Sequence, residues 1–222
     1  MKPIAEHVLF DLDGTLTDPA LGITRCFAHA LRQMDLPVPS EAVLHSYIGP
    51  PLPLTLAEKF GLQDGAVTQA LALFRERFST VGMYENEVYD SIPEALSSLR
   101  EAGFTLYVAT SKPVVYAREI LRHFDLTRHF KGIYGSELSG ERIKKEEVIA
   151  YLLAEEHIPA HEAIMIGDRL HDIEGARHNQ LRAALGVTYG YGSAEELQSA
   201  GADALCQDPV ELVRSVIALT VR

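Results

Sequence analysis

The chain has 222 residues, 47% apolar and 23% charged, with a formal net charge of -11. That is the composition of a globular protein able to build a core without staples, and its acidic balance excludes a general nucleic-acid binder, which needs a basic face. No apolar run reaches the roughly 18 residues of a membrane span, the stretch Met1 to Asp11 does not read as a signal peptide, and the distant pair Cys26 and Cys206 suits a reducing cytoplasm rather than a disulfide scaffold or zinc site.

In chain order, His7–Phe10 reads as a short buried strand that runs straight into Asp11-Leu12-Asp13-Gly14-Thr15. Carboxylates two apart on an extended segment point the same way. They repel, so the pair needs a cation or a shared proton; the plain alternative is a polar turn with Asp as a cap. From Leu16 to Tyr84 the pattern is helical, with candidates at Gly22–Met34, Ser40–Ser46, Leu52–Phe60 and Val67–Val81 separated by Pro37, Pro39, Pro50, Pro51 and Pro53. A strand connection needs about 2–6 loop residues and one helix, so this segment predicts an inserted helical domain over residues 16–84. Residues 1–15 and 85–222 then form the main domain. Arg25 on the first inserted helix, and Arg75 and Arg77 on the last, either face solvent or read a second anionic group on a ligand.

The rest alternates. A helix over Pro93–Ala102 precedes a strand at Phe104–Ala109, which ends in Thr110-Ser111-Lys112-Pro113. Thr110, Ser111 and the backbone N–H groups there can hold phosphate oxygens, unless Ser111 simply caps the next helix, Val114–Phe124. After a strand at Gly132–Gly135, Lys144-Lys145 opens a helix over Glu146–Glu156. Lysine there opposes the helix dipole, so helix stability does not explain the pair. At about 100° per residue Lys145 projects within about 10° of the buried face made by Val148, Ile149, Leu152 and Leu153, whereas Lys144 points about 110° away. A strand at Ala163–Ile166 enters Gly167-Asp168-Arg169-Leu170-His171-Asp172, and a helix starting near Arg169 would bring Asp168 and Asp172 to one side. Asp172 alone would be explained by the dipole of that helix. Further strands are expected at Ala183–Val187 and Ala202–Cys206. The alternation predicts an α/β fold with a Rossmann-like, mainly parallel sheet, helices on both faces and ligands at the strands' carboxyl ends. Four acids at two such ends make a hard oxygen pocket suited to Mg²⁺.

Taken together and in this order, these elements resemble the haloacid dehalogenase-like superfamily over essentially the whole chain. Asp11-Leu12-Asp13-Gly14-Thr15 looks like its first motif, Thr110 its second, one of Lys144 and Lys145 its third, and Gly167-Asp168 with Asp172 its fourth. The helical insertion, Thr110-Ser111-Lys112-Pro113 and Ser136-Glu137-Leu138 resemble the subfamily that includes phosphoglycolate phosphatases. Ile48-Gly49-Pro50-Pro51-Leu52 is similar to its cap loop, which places Gly49 over the substrate. The resemblance implies Mg²⁺-dependent phosphoryl transfer with Asp11 as nucleophile, and Asp13 as the acid that protonates the leaving oxygen and then the base that activates water. It implies a metal held by Asp11, the Asp13 backbone carbonyl and Asp168, with Asp172 in support, and its spacing favours Lys145 as the catalytic lysine. The expected partner is a small phosphorylated metabolite, phosphoglycolate-like or a 5′-nucleotide, with no nucleic acid polymer or membrane, for a cytoplasmic monomer or weak homodimer. A phosphomutase would share these motifs. A phospho-accepting signalling domain would share the Asp, Thr and Lys set but is about half as long and lacks a cap.

Overall fold

The structure is a computed structural model, and it describes residues 6–220. In chain order the strands and helices are β1 (His7–Phe10), β2 (Thr17–Asp18), α1 (Ala20–Gln33), α2 (Glu41–His45), α3 (Leu52–Phe60), α4 (Asp64–Phe78), β3 (Glu87–Val88) and α5 (Ile92–Glu101). They continue as β4 (Thr105–Pro113), α6 (Val114–His123), β5 (Phe130–Ser136), α7 (Lys145–Glu155), β6 (Ala163–Gly167), α8 (Leu170–His178), β7 (Ala183–Val187), α9 (Ala194–Ser199), β8 (Ala204–Cys206) and α10 (Pro209–Thr220). Among the described residues no helix is long and apolar enough to cross a membrane.

Six parallel strands form one sheet in the order β5-β4-β1-β6-β7-β8. Every residue of β6 and β7 is buried, as strands covered on both faces must be. Leu9, Tyr107, Ala109 and Met165 turn to one face and pack on Val148, Ile149 and Leu152 of α7, Ile173 and Ala176 of α8 and Leu197 of α9. Val8 and Phe10 alternate to the other face, which right-handed crossovers assign to α5 and α6 and where α10 packs on α5. From β1 the chain builds outward one way through β4 and β5, then returns and builds the other way through β6, β7 and β8. Such a reversal leaves a crevice at the carboxyl ends of the central strands.

The chain divides into two compact units, one running up to Thr17 and again from Val88 onward, the other spanning Asp18–Glu87. Both boundaries fall slightly later than composition suggests, because β2 and β3 pair where the chain leaves and returns. In the helical unit α1 packs on α4, with Phe27 edge-on to Phe74 at 5.3 Å. The last long helix of this unit lies earlier than the expected Val67–Val81. It stops at Phe78 because the hydroxyls of Ser79 and Thr80 bond back to the carbonyls of Glu76 and Arg77. In the other unit β4 runs on to Pro113 instead of ending at Ala109, through a shift in its register with β5.

Leu9 is fully buried in the central strand, so Leu9→Ala should cost about 2–5 kcal/mol in urea unfolding. Val115→Ala, on a side chain 43% exposed, should change stability by less than about 0.5 kcal/mol.

Candidate active site

The site grows from the carboxyl ends of β1, β4 and β6. Beyond β1 the Asp11 backbone N–H still donates to the Ile166 carbonyl at 2.9 Å, so Asp11 is held beside the end of β6. The chain then turns sharply: the Leu12 carbonyl accepts from the N–H groups of Thr15, Leu16 and Thr17. Gly14 takes φ +83°, and a β-carbon there would overlap the Asp168 carboxylate, so the turn can close on Asp168 only with glycine at this position.

Asp168 is fully buried. Its Oδ2 accepts from the Tyr191 N–H at 2.8 Å and its Oδ1 from the Thr15 hydroxyl at 3.4 Å. Asp172 lies in the first turn of α8, where its Oδ2 accepts from the Arg169 N–H at 3.1 Å and ties the helix start. Lys145 is the first residue of α7, with its side chain only 3% exposed. Its ammonium lies 2.8 Å from Asp11 Oδ1 and 2.7 Å from Asp172 Oδ1, and donates to the Ala109 carbonyl at 2.9 Å. Burial pulls the Lys145 pKa down, but the Asp11 and Asp172 carboxylates more than offset it and raise it above the usual lysine value. Burial, then the charges of Asp172 and Asp11, push Asp168 well up. Burial also raises Asp172 against the pull of Lys145.

Asp11, Asp168 and Asp172 bring carboxylate oxygens within 4.8 Å of one another. Three carboxylates against one ammonium leave two formal negative charges, the complement of one divalent cation. The donors are hard oxygens, few in number, as Mg²⁺ prefers. The residues present therefore fit a bound Mg²⁺.

The fourth acid behaves differently. The Asp13 carboxylate is not one of these three and pairs with the Lys112 ammonium at 2.6 Å. The chain turns at Gly14 directly after it, and the Asp13 carboxylate still feels the charges of Asp11 and Lys145. Burial raises the Asp13 pKa, and Lys112 opposes the rise. Thr110 is buried at the end of β4, with its Oγ1 accepting from the Lys112 N–H at 3.3 Å. Ser111 does not cap α6, whose N-cap is Pro113; its carbonyl accepts from the Ser136 hydroxyl at 2.8 Å. Lys144 is exposed at the start of α7.

Arg25 and Gly49 belong to the helical unit. Gly49 takes φ +114° just before the prolines that open α3. Arg25 and Arg77 both pair with Glu85, at 2.6 and 2.7 Å, and the Arg77 hydrogen bond holds Glu85 below its usual range. Both arginines thus share one carboxylate within their own unit, and the Arg25 side chain stays 54% exposed. Two features escaped the sequence reading. One is Lys112. The other is the turn Tyr189-Gly190-Tyr191-Gly192 after β7, which supplies the Tyr191 N–H and a Tyr189 hydroxyl that donates to the Thr15 carbonyl at 3.0 Å. Its alternating glycines mark a turn but carry no sign of what it touches.

Known proteins resemble this chain. The chain is 50% identical over 202 residues to a 5′-nucleotidase of Pseudomonas aeruginosa, covering 91% of each. It is 41% identical over 188 residues to the tyrosine-protein kinase PtkA of Mycobacterium tuberculosis, covering 85% of this chain but only 64% of that protein. The crystal structure of a predicted phosphatase from Clostridium acetobutylicum superposes with a TM-score of 0.94 at 44% identity, covering 97% of this chain and 99% of that one. The profile of the haloacid dehalogenase-like hydrolases matches residues 8–185, from β1 through β7 and hence across every acid and lysine of the cluster, and the chain belongs to that family.

Proposed function

We propose that the protein is a Mg²⁺-dependent phosphatase that hydrolyses a small phosphorylated metabolite through a phosphoaspartate on Asp11. The observation that carries this reading is the buried Lys145 ammonium bridging Asp11 and Asp172 beside Asp168, a set whose remaining formal charge one divalent cation would balance. A carboxylate attacks a phosphate dianion only under positive cover, and Lys145 supplies part of it. Bound Mg²⁺ supplies the rest by offsetting charge on the phosphoryl oxygens. Asp11, Asp168, the Asp13 backbone carbonyl and Asp172 are the groups that would hold it.

A carboxylate oxygen of Asp11 forms the new bond to phosphorus as the bond to the leaving oxygen breaks. That oxygen takes a proton from the Asp13 carboxyl. Water then attacks phosphorus, passes its proton to the Asp13 carboxylate, and the bond between Asp11 and phosphorus breaks, which restores both residues. Thr110 and the backbone at Ser111 hold the remaining phosphate oxygens. The raised pKa of Asp13 suits a group that must carry a proton in the first half. For the substrate we favour a nucleoside 5′-monophosphate over a phosphoglycolate-like ester. The 5′-nucleotidase relative supports this.

Inorganic phosphate release from a panel of about a hundred phosphorylated metabolites tests the reading, with 5′-nucleotides expected to lead. Isomerised ester without phosphate release would replace it with a mutase. Chelation should abolish activity and Mg²⁺ restore it, whereas Ca²⁺, with longer bonds and a higher coordination number, should bind and inhibit. Full turnover in excess chelator would reject the metal. Asp11→Asn should lower kcat by more than about 10³-fold, and near-normal release would reject the phosphoaspartate. Lys145→Ala should lower kcat/KM by at least about 10²-fold, or roughly 2.7 kcal/mol, while Lys144→Ala changes it less than about threefold. The reverse order would place the catalytic ammonium on the wrong residue.

A further inference from the structure

We infer that Lys112 is a positioning residue: it holds the Asp13 side chain out of the cation pocket, so that one carboxyl of the four stays available to the leaving oxygen. The inference rests on the reading of Asp13 as proton donor. Asp13 follows Asp11 by two residues, and three buried carboxylates stand nearby, after β1, after β6 and in the first turn of α8. A divalent cation in that pocket would draw in a fourth acid unless something else held it. The Lys112 ammonium does so, 2.6 Å from Asp13 Oδ2, with side chains 6% and 13% exposed. The other oxygen, Asp13 Oδ1, is buried without a hydrogen-bond partner. A buried acceptor left unsatisfied is costly, and such atoms persist where a ligand completes them. One oxygen is therefore anchored and the other left open.

The backbone around Lys112 is built to hold it there. The pairing of β4 with β5 is in register from Tyr107 to Ala109 and then shifts before Pro113 meets Ser136, a bulge that re-aims the intervening side chains. Within it Thr110 Oγ1 accepts from the Lys112 N–H, and the Ser136 hydroxyl donates to the Ser111 carbonyl. Gly135 lets the strands close: a β-carbon there would lie 2.5 Å from the Lys112 carbonyl oxygen and 3.1 Å from the Val114 nitrogen. With the backbone fixed on both sides and the stem buried, the ammonium is delivered to Asp13 just as Lys145 is delivered to Asp11 and Asp172. Two lysines thus sort four acids into two tasks.

Two measurements on the full-length protein test this, with Lys112→Met, Asp13→Asn and the double variant. Methionine keeps a long stem and removes the charge. By calorimetric titration with Mg²⁺, Lys112→Met should bind at least about threefold more tightly than wild type, because Asp13 is released into the pocket, and the gain should vanish in the double variant. Unchanged or weaker binding overturns the inference. The second readout is kcat/KM on an aliphatic phosphate ester from the panel and on p-nitrophenyl phosphate, whose phenolate leaves without a proton. This parameter covers steps only through departure of the leaving group, so hydrolysis of the phosphoaspartate does not enter. Lys112→Met should lose at least about tenfold more on the aliphatic ester, with no added loss once Asp13 is Asn. Equal losses on both esters would mean that Lys112 serves phosphate binding or folding, and would overturn it. A wild type that releases phosphate from neither ester defeats the phosphatase reading, while the Mg²⁺ titration still decides where Asp13 is held.

Discussion

The structure around the site is governed by the repulsion of three carboxylates confined to one buried volume. At separations no greater than 4.8 Å each pair of full charges would repel by at least about 3.5 kcal/mol at an effective dielectric near 20. Lys145 is buried because these acids are there; in an apolar setting its ammonium would be forced to lose its proton. The dependence is mutual, since removing either Asp11 or Asp172 leaves a buried cation short of a partner. The same repulsion explains the close packing on Asp168, where a glycine without a β-carbon, a threonine hydroxyl and a backbone N–H crowd one carboxylate.

A parallel sheet suits this task because it separates what holds the fold from what does the chemistry. Backbone ladders and side chains such as Leu9, Met165 and Val148 fix the central strands without any contribution from the residues at their ends. Those ends are then free to carry residues that cost stability. Because β4 and β6 both flank β1, the reversal in strand order lets segments more than 150 residues apart, Asp11 and Asp168 among them, meet at one edge. The start of α7 adds the ammonium from the face that Val148 and Ile149 already bind to the sheet.

What was legible in the sequence was local. Runs of apolar residues mark β1, β6 and β7, and acids directly after β1 and β6 mark the site, because a strand's exit places its next side chains at the sheet edge. The burial of Lys145 and exposure of Lys144 follow from helical phase alone, which needs only the four apolar residues after them. The unread parts depend on contacts between distant segments. The Lys112 pairing requires a bulge set by Ser136 and Gly135 on the next strand. Glu85 claims Arg25 from sixty residues away. Tyr191 reaches Asp168 through a turn whose glycines and tyrosines look like any surface loop. Alternation says that Asp13 lies near Asp11 but not that Lys112 pairs with it.

The charge of the whole chain, -11, conflicts with an anionic substrate only if distant charges count. Salt screens exposed charges beyond about 8 Å at physiological ionic strength, so remote surface acids contribute little at the site. The groups that decide lie within a few ångströms and are buried, where screening is weak and each charge acts more strongly. Asp13 brings its own lysine and adds no net charge, and Lys145 cancels one charge of the remaining three. An acidic protein can thus bind an anion because pairing is settled locally, acid by acid. On the proposed reading, the identity of the lysine that reaches each aspartate, rather than the total count of either, sets which carboxylates would hold a cation and which one would be left to move a proton.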